Sequence, residues 1–232
     1  MGRSHGGGKP QVLEAAPARD RIRGVAEALA GVSTAGERIA QEIWNLQRTE
    51  IGETYEPLAP DHVGSSTMPQ KQNPFTCEHI MACARLLRPM AFALSSCPSM
   101  HERDMAVWGM EWLALPQVFI LCGAVTAKLA YLLEGLTVDE DAMLRNLSRT
   151  GGLIMAESVM MALARAVGHE DAHRIVTRAA KVTARTGTAF ADALRMEPEV
   201  AQHFSVDELA EALDPTLHVG LSGLAVDALD FS

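Results

Sequence analysis

The 232-residue chain has few aromatic side chains (5%), no long basic run, only four cysteines and no apolar run of bilayer length. Each scarcity excludes something. Few aromatics beside abundant Ala, Leu and Met disfavour a β-sandwich and favour helices. A formal charge of −9 makes nucleic acid an unexpected partner, although a few local Lys and Arg can still hold a small anion. Cys77, Cys83, Cys97 and Cys122 form no CxxC pair, and no secretory leader is evident. They read as reduced thiols of a cytoplasmic protein, with no disulfide and no metal expected. The longest apolar stretch, residues 118–127, lies between Pro116-Gln117 and Lys128. That is too short to span a bilayer and reads as a buried core helix, so no membrane partner is expected.

What the sequence does contain is helical period. After an irregular opening (Gly6-Gly7-Gly8, Pro10, Pro17), Ile22, Val25, Leu29, Val32, Gly36, Ile39, Ile43 and Leu46 recur at alternating spacings of three and four. This is the seam of a helix lying along other long helices, with Gly36 placed for a close approach. Residues 49–63, with Gly52, Pro57 and Pro60, break the pattern, and residues 64–74 have no period and read as a loop. A second helix is expected from about Asn73-Pro74 through Ile80, Cys83, Ala84 and Leu87, since Pro is tolerated in a first turn. Residues 104–133 are apolar on nearly all sides, which predicts a helix in the middle of a bundle, kinked at Pro116. Thr137-x-x-Glu140 and Ser205-x-x-Glu208 have the form of capping boxes. Residues 153–167 and 170–185 predict a helical pair divided by Gly168. There is no βαβ pattern and no internal repeat. The expected fold class is all-α: an irregular segment (1–18), a long-helix bundle (19–136) holding the loop 64–74, and a small helical carboxyl-terminal domain (137–232).

The loop carries the chemistry. Gly64-Ser65-Ser66-Thr67-Met68-Pro69-Gln70-Lys71-Gln72-Asn73-Pro74 combines a turn rich in backbone N–H groups with two hydroxyls, a cation and an amide beside a helix start. Those residues suit anion binding with an oxygen base alongside, and they equally suit a plain polar connection between helices. The segment matches the signature GSSxMPxKxN of the fumarase/aspartase superfamily at every fixed position, a coincidence of roughly one in a billion windows. Similarity extends to Arg19-Asp20-Arg21, to residues 46–53, to His101-Glu102-Arg103-Asp104, to Thr150-Gly151-Gly152-Leu153-Ile154 and to Leu213-Asp214-Pro215. The chain thus resembles the adenylosuccinate lyase branch of that superfamily over about residues 19–220.

The resemblance implies a cofactor-free enzyme that adds or eliminates groups across the Cα–Cβ bond of a small polycarboxylate. Ser65 becomes the general base and Lys71 its catalytic companion. Gly64, Ser66, Met68, Asn73, Glu78, His101 and Arg103 become substrate-binding residues, with Glu78 as counterion of Lys71. The proton α to a carboxylate is weakly acidic, so pre-placed donors must hold the charge that develops when it leaves. Relatives form homotetramers in which three subunits build each site, so a homo-oligomer is implied.

Within the branch, nucleotide-binding members place hydroxyls and an arginine where this chain has Trp108, Gly109 and Trp112. Without those donors a phosphate would be poorly paired. The Trp-x-x-Glu-Trp pattern, with Leu115-Pro116, instead resembles the 3-carboxy-cis,cis-muconate cycloisomerases of aromatic degradation. The alternatives are adenylosuccinate lyase or another fumarate-releasing lyase, and an inactive truncated remnant that assembles as a helical oligomer. Family members are roughly twice this length, so the chain reads as a carboxyl-terminal half whose fold is truncated at the amino terminus. Gly2-Arg3-Ser4-His5-Gly6 is similar to a histidine-bearing segment of relatives, but His5 is given no role. His169-Glu170-Asp171-Ala172-His173 fits HExxH without a third ligand and reads as a helix start rather than a zinc site.

Overall fold

A computed structural model describes residues 19–58, 72–101 and 103–229. The expected site residues Gly64, Ser65, Ser66, Met68 and Lys71 lie outside these residues, as does His5. The chain divides into two units, residues 1–139 and 140–232.

The first unit is built on three long helices: α1 (Asp20–Leu46), α2 (Phe75–Ser96) and α3 (Met105–Glu134). Their buried positions follow a seven-residue repeat. Ala26, Ser33 and Ala40 alternate with Gly36 and Ile43 on α1; Cys77, Ala84 and Ala91 alternate with Ile80, Leu87 and Leu94 on α2. On α3 the repeat is Glu111, Val118, Val125 and Leu132. A strict 3.5-residue period keeps each seam facing its neighbours along the whole length, as in a coiled coil. Ala26 shares one core cluster with Leu87, Leu94 and Val118, whereas Ala40 and Ile43 share another with Cys77, Ile80, Val125 and Leu132. The helices therefore run up, down and up.

Half of the expected α1 seam is kept, with Gly36 and Ile43 buried; Val25, Val32 and Ile39 stay 42%, 48% and 39% exposed, and Ala26, Ser33 and Ala40, one position along, are buried instead. At Gly36 α3 comes very close: a Cβ there would stand 2.7 Å from Cγ1 of Val125. Helix α3 also departs from expectation. Its side chain cap is Asp104, which accepts from the N–H groups of Ala106 and Val107. It is long and apolar enough to cross a bilayer by length and composition, yet only one face is covered by α1 and α2. Trp112, Leu113, Phe119 and Ile120 lie 50–77% exposed on the rest of the helix. A place in the middle of a bundle is not reached within one chain.

Two short strands, β1 (Thr54–Tyr55) and β2 (Thr137–Val138), pair antiparallel and close the end of the bundle where α1 stops and α2 begins. Thr137 is thus engaged in a strand, and α4 (Glu140–Ser148) starts at Glu140, so the expected capping box does not form there.

In the second unit α4 is followed by a 3₁₀ turn (Leu153–Met155), then α5 (Ala156–Val167), α6 (His169–Thr186), α7 (Phe190–Arg195), α8 (Pro198–His203), α9 (Val206–Ala212), a second 3₁₀ turn (Pro215–His218) and α10 (Ser222–Asp227). The helical pair α5–α6 is divided at Gly168, whose φ of +84° no other residue type adopts cheaply. Its core joins Val159, Leu163, Ile175, Ala179, Phe190, Leu194, Val200 and Leu209. The capping box at Ser205 and Glu208 is formed, with both reciprocal hydrogen bonds.

Candidate active site

The described end of the signature motif enters α2 at the strand-closed end of the bundle. Here Asn73, Pro74 and Glu78 line a cleft of about 1100 Å³ together with Trp44, Gln47, Arg48, Thr49, Glu56 and Gln72. Glu78 is exposed in the first turn of α2 and accepts a hydrogen bond from the Trp44 indole N–H at 3.3 Å. Among the described lining residues Arg48 carries the positive charge; its nearest acidic group, on Glu50, is 3.9 Å away with both side chains more than half exposed. An ion pair so open to water holds Arg48 only weakly and leaves it able to meet an anion.

The physical reading of the motif as an anion-binding helix start meets a specific obstacle. Helix α2 begins after Pro74, which offers no side-chain acceptor, and its first N–H groups are taken by a carboxylate from elsewhere. Glu56, 6% exposed, accepts from the N–H of Thr76 on both oxygens (3.1 and 3.0 Å) and from that of Cys77 at 3.2 Å. The favourable end of the helix dipole is therefore satisfied internally. Burial, then the nearby Glu56 charge, pushes the Cys77 thiol up to about 12. Glu56 and Gln47 were not among the residues expected from sequence. A signal was present: a helix opened by Pro has no local cap and needs an acceptor from another segment.

His101 and Arg103 are elsewhere. They lie in the connection between α2 and α3, both exposed, with the Arg103 N–H donating to Nδ1 of His101 at 3.1 Å. Asp104 organises this corner by accepting from the N–H groups of Met100, Val107 and Ala106, which holds its carboxyl below the ordinary carboxylate range. Helix α2 runs 22 residues, about 33 Å at the usual helical rise, from beside Asn73 to this corner, and Glu78 lies in its first turn at the far end. One chain does not bring the two groups together.

The tryptophans have distinct surroundings. Trp108 lies under the guanidinium of Arg19, 5.9 Å from ring centroid to Cζ, and Trp112 is 65% exposed. Glu111 between them is buried and paired with Arg19. In the second unit His169 and His173 of the HExxH segment are both exposed on α6.

Two family models match the chain. Residues 4–87 match the model described as lyase, and residues 152–229 match that described as adenylosuccinate lyase C-terminus. The chain belongs to the fumarase/aspartase superfamily. It is 34% identical over 212 residues to a 3-carboxy-cis,cis-muconate cycloisomerase of Bradyrhizobium diazoefficiens, covering 91% of this chain and 47% of that protein. It is 36% identical over 210 residues to an N-acetyl-S-(2-succino)cysteine lyase of Enterococcus italicus, covering 90% of this chain and 46% of that protein. Among solved structures, the 3-carboxy-cis,cis-muconate lactonizing enzyme from Pseudomonas putida superposes with a TM-score of 0.85 at 31% identity, covering 93% of this chain and 48% of that one.

The chain spans about half the length of the curated relatives it matches. The expectation of a carboxyl-terminal half only, with a fold truncated at the amino terminus, is nevertheless corrected. The lyase match begins at residue 4, taking in His5, and runs through α1 into α2, so segments matching both family models are present in the one chain. The expectation rested on comparing lengths, and length alone does not say which parts a chain contains.

Proposed function

We propose that the chain serves a lyase or cycloisomerase reaction on a small polycarboxylate, with Ser65 as general base. The observation that carries this reading is the intact motif at residues 64–74, leading into a cleft that Asn73, Glu78 and Arg48 border. In the proposed reaction the Ser65 oxygen takes the proton α to a substrate carboxylate. The electron pair moves into that carboxylate, and the group on Cβ departs, giving an alkene. Run in the other direction, a substrate carboxylate adds across the double bond and closes a lactone. Lys71 and Asn73 stabilise the doubly charged intermediate, and Arg48 offers a further cation for a second carboxylate. Removing one such donor is expected to cost on the order of a hundredfold in rate.

His101 and Arg103 join the same site only through another copy, because α2 holds them about 33 Å away. The exposed apolar stripes of α1 (Val25, Val32, Ile39) and α3 (Trp112, Leu113, Phe119, Ile120) provide the surfaces for such an assembly. A homotetramer is the expected form. No metal or organic cofactor is required by this chemistry.

A cycloisomerase reading is favoured over a nucleotide-specific one by Trp108 and Trp112, which offer a phosphate no cation or hydroxyl. A second reading, a fumarate-releasing lyase, is supported by the comparable similarity to the N-acetyl-S-(2-succino)cysteine lyase.

The test offers purified chain 3-carboxymuconate, N-acetyl-S-(2-succino)cysteine, adenylosuccinate and argininosuccinate, and follows conjugated-alkene absorbance. Turnover of one of them that disappears in Ser65→Ala supports the reading. An intact helical oligomer with no turnover on any of them would leave an inactive assembly protein as the better description.

A further inference from the structure

We infer that Gln47 and Glu56 are positioning residues for the candidate site, a two-residue clamp that fixes segment 72–77 against the end of α1. The inference rests on the functional reading above and adds to it the device that holds Asn73 in place.

The geometry is continuous. Gln47, 7% exposed, is the residue that ends α1. Its Oε1 accepts the backbone N–H of Glu56 at 2.9 Å, and its Nε2 donates to the carbonyl of Gln72 at 3.5 Å. Glu56 in turn takes the N–H groups of Thr76 and Cys77. One buried amide and one buried carboxylate thus grip the chain on both sides of Asn73-Pro74. The segment bearing Glu56 is itself anchored, since the preceding Thr54 pairs with Val138 and its hydroxyl donates to the Ile43 carbonyl at 3.5 Å.

Why these residues and not a local cap follows from chemistry. Pro74 lacks a polar side chain, so α2 must borrow an acceptor. A carboxylate does this best, because two oxygens can serve several backbone donors and the charge suits a helix N-terminus. A buried carboxylate held by backbone N–H groups is also rigid, since moving it leaves both it and the helix donors unpaired. Ordinary capping would need no second member. The side-chain amide of Gln47 reaches both the peptide of Glu56 and the peptide just before Asn73, which ties the cap to the motif itself. It follows that substrate carboxylates are not held by the first turn of α2; they fall to side chains around the cleft.

The deciding experiment compares the full chain with Glu56→Gln, Glu56→Ala and Gln47→Met by amide hydrogen exchange, thermal melting and, where turnover is found, steady-state kinetics. Exchange is expected to rise on the order of tenfold or more at residues 72–78 in Glu56→Ala, less in Glu56→Gln, which keeps one acceptor. The rise should stay confined to that stretch, with the middle of α2 and α3 unchanged. In an active chain kcat should fall on the order of a hundredfold with KM little altered, as loss of alignment predicts. Exchange that rises everywhere in proportion to lost stability would overturn the inference. So would local loosening in a turnover-competent chain whose kcat stays within about twofold. If the wild-type chain turns over no substrate, the functional reading fails, while the exchange pattern still decides whether the clamp exists.

Discussion

Arg19 and Glu111 are joined across 92 residues of chain: the guanidinium grips the buried carboxylate with two hydrogen bonds, Nε to Oε1 at 2.7 Å and Nη2 to Oε2. The pair ties the first turn of α1 to α3, and Trp108 lies beneath the guanidinium. Breaking one side of such a pair leaves the other charge buried alone.

Arg19→Met, which strands the buried Glu111 carboxylate, is therefore expected to destabilise the chain by about 3 kcal/mol, measured by urea denaturation. Replacing both partners with apolar residues of similar volume, as in Arg19→Met with Glu111→Leu, should restore much of that loss. Equal losses in the single and double variants would mean that the loss comes from the missing pair itself and not from a stranded charge.

Gly36→Ala sets two effects against each other. Alanine gains about 1 kcal/mol of helix propensity, but its Cβ would stand 2.7 Å from Val125 Cγ1. Overpacking of this kind typically costs about 1–3 kcal/mol, so net destabilisation is expected. Val125→Ala should be less harmful in the Gly36→Ala background than alone. A double-mutant cycle with no coupling would rule out the close contact.

How much of this was readable from sequence differs by element. The period of α1 was legible, and so was the role of Gly36, because the seven-residue spacing survives in the residue order. Which of two adjacent stripes would be buried was not. Val25, Val32 and Ile39 are the more apolar stripe, yet Ala26, Ser33 and Ala40 are the ones buried against the neighbouring helices. The start of α2 and the capping box at Ser205 were legible from local chemistry. The separation of His101 and Arg103 from Asn73 was not, since a motif list carries no information about which end of a helix each member occupies. Glu56 was legible only indirectly: a helix opened by Pro must borrow an acceptor, but partners that are backbone N–H groups do not say which carboxylate supplies it.

Glu37 receives Arg85 at 2.7 Å and also Arg88. Burial alone would raise its carboxyl, but hydrogen bonds and charge from Arg88 and Arg85 outweigh that and hold it below the ordinary 4.5. A depressed carboxylate stabilises the fold above the ordinary value and loses that contribution as pH falls through the folded one. The melting temperature of wild type should thus exceed that of Glu37→Gln at about pH 6, and the gap should close towards about pH 3. A gap independent of pH would show that the ion pair is not its source.

The thiols should differ in reactivity. Cys77 is buried with its thiol raised to about 12, and Cys122 is buried and raised by desolvation. Cys83 and Cys97 are half-buried. At about pH 8, iodoacetamide followed by peptide mass spectrometry should find Cys83 and Cys97 modified well before the other two. Early labelling of Cys77 would mean that the first turn of α2 opens readily.

The length of α2 has a genetic corollary. In the proposed assembly, a lesion at Asn73 in one copy and a lesion at His101 in another strike different corners of the shared centres. A hybrid of two individually dead variants would then contain some centres carrying neither defect. Mixing them after gentle dissociation should recover a fraction of wild-type turnover that neither parent possesses.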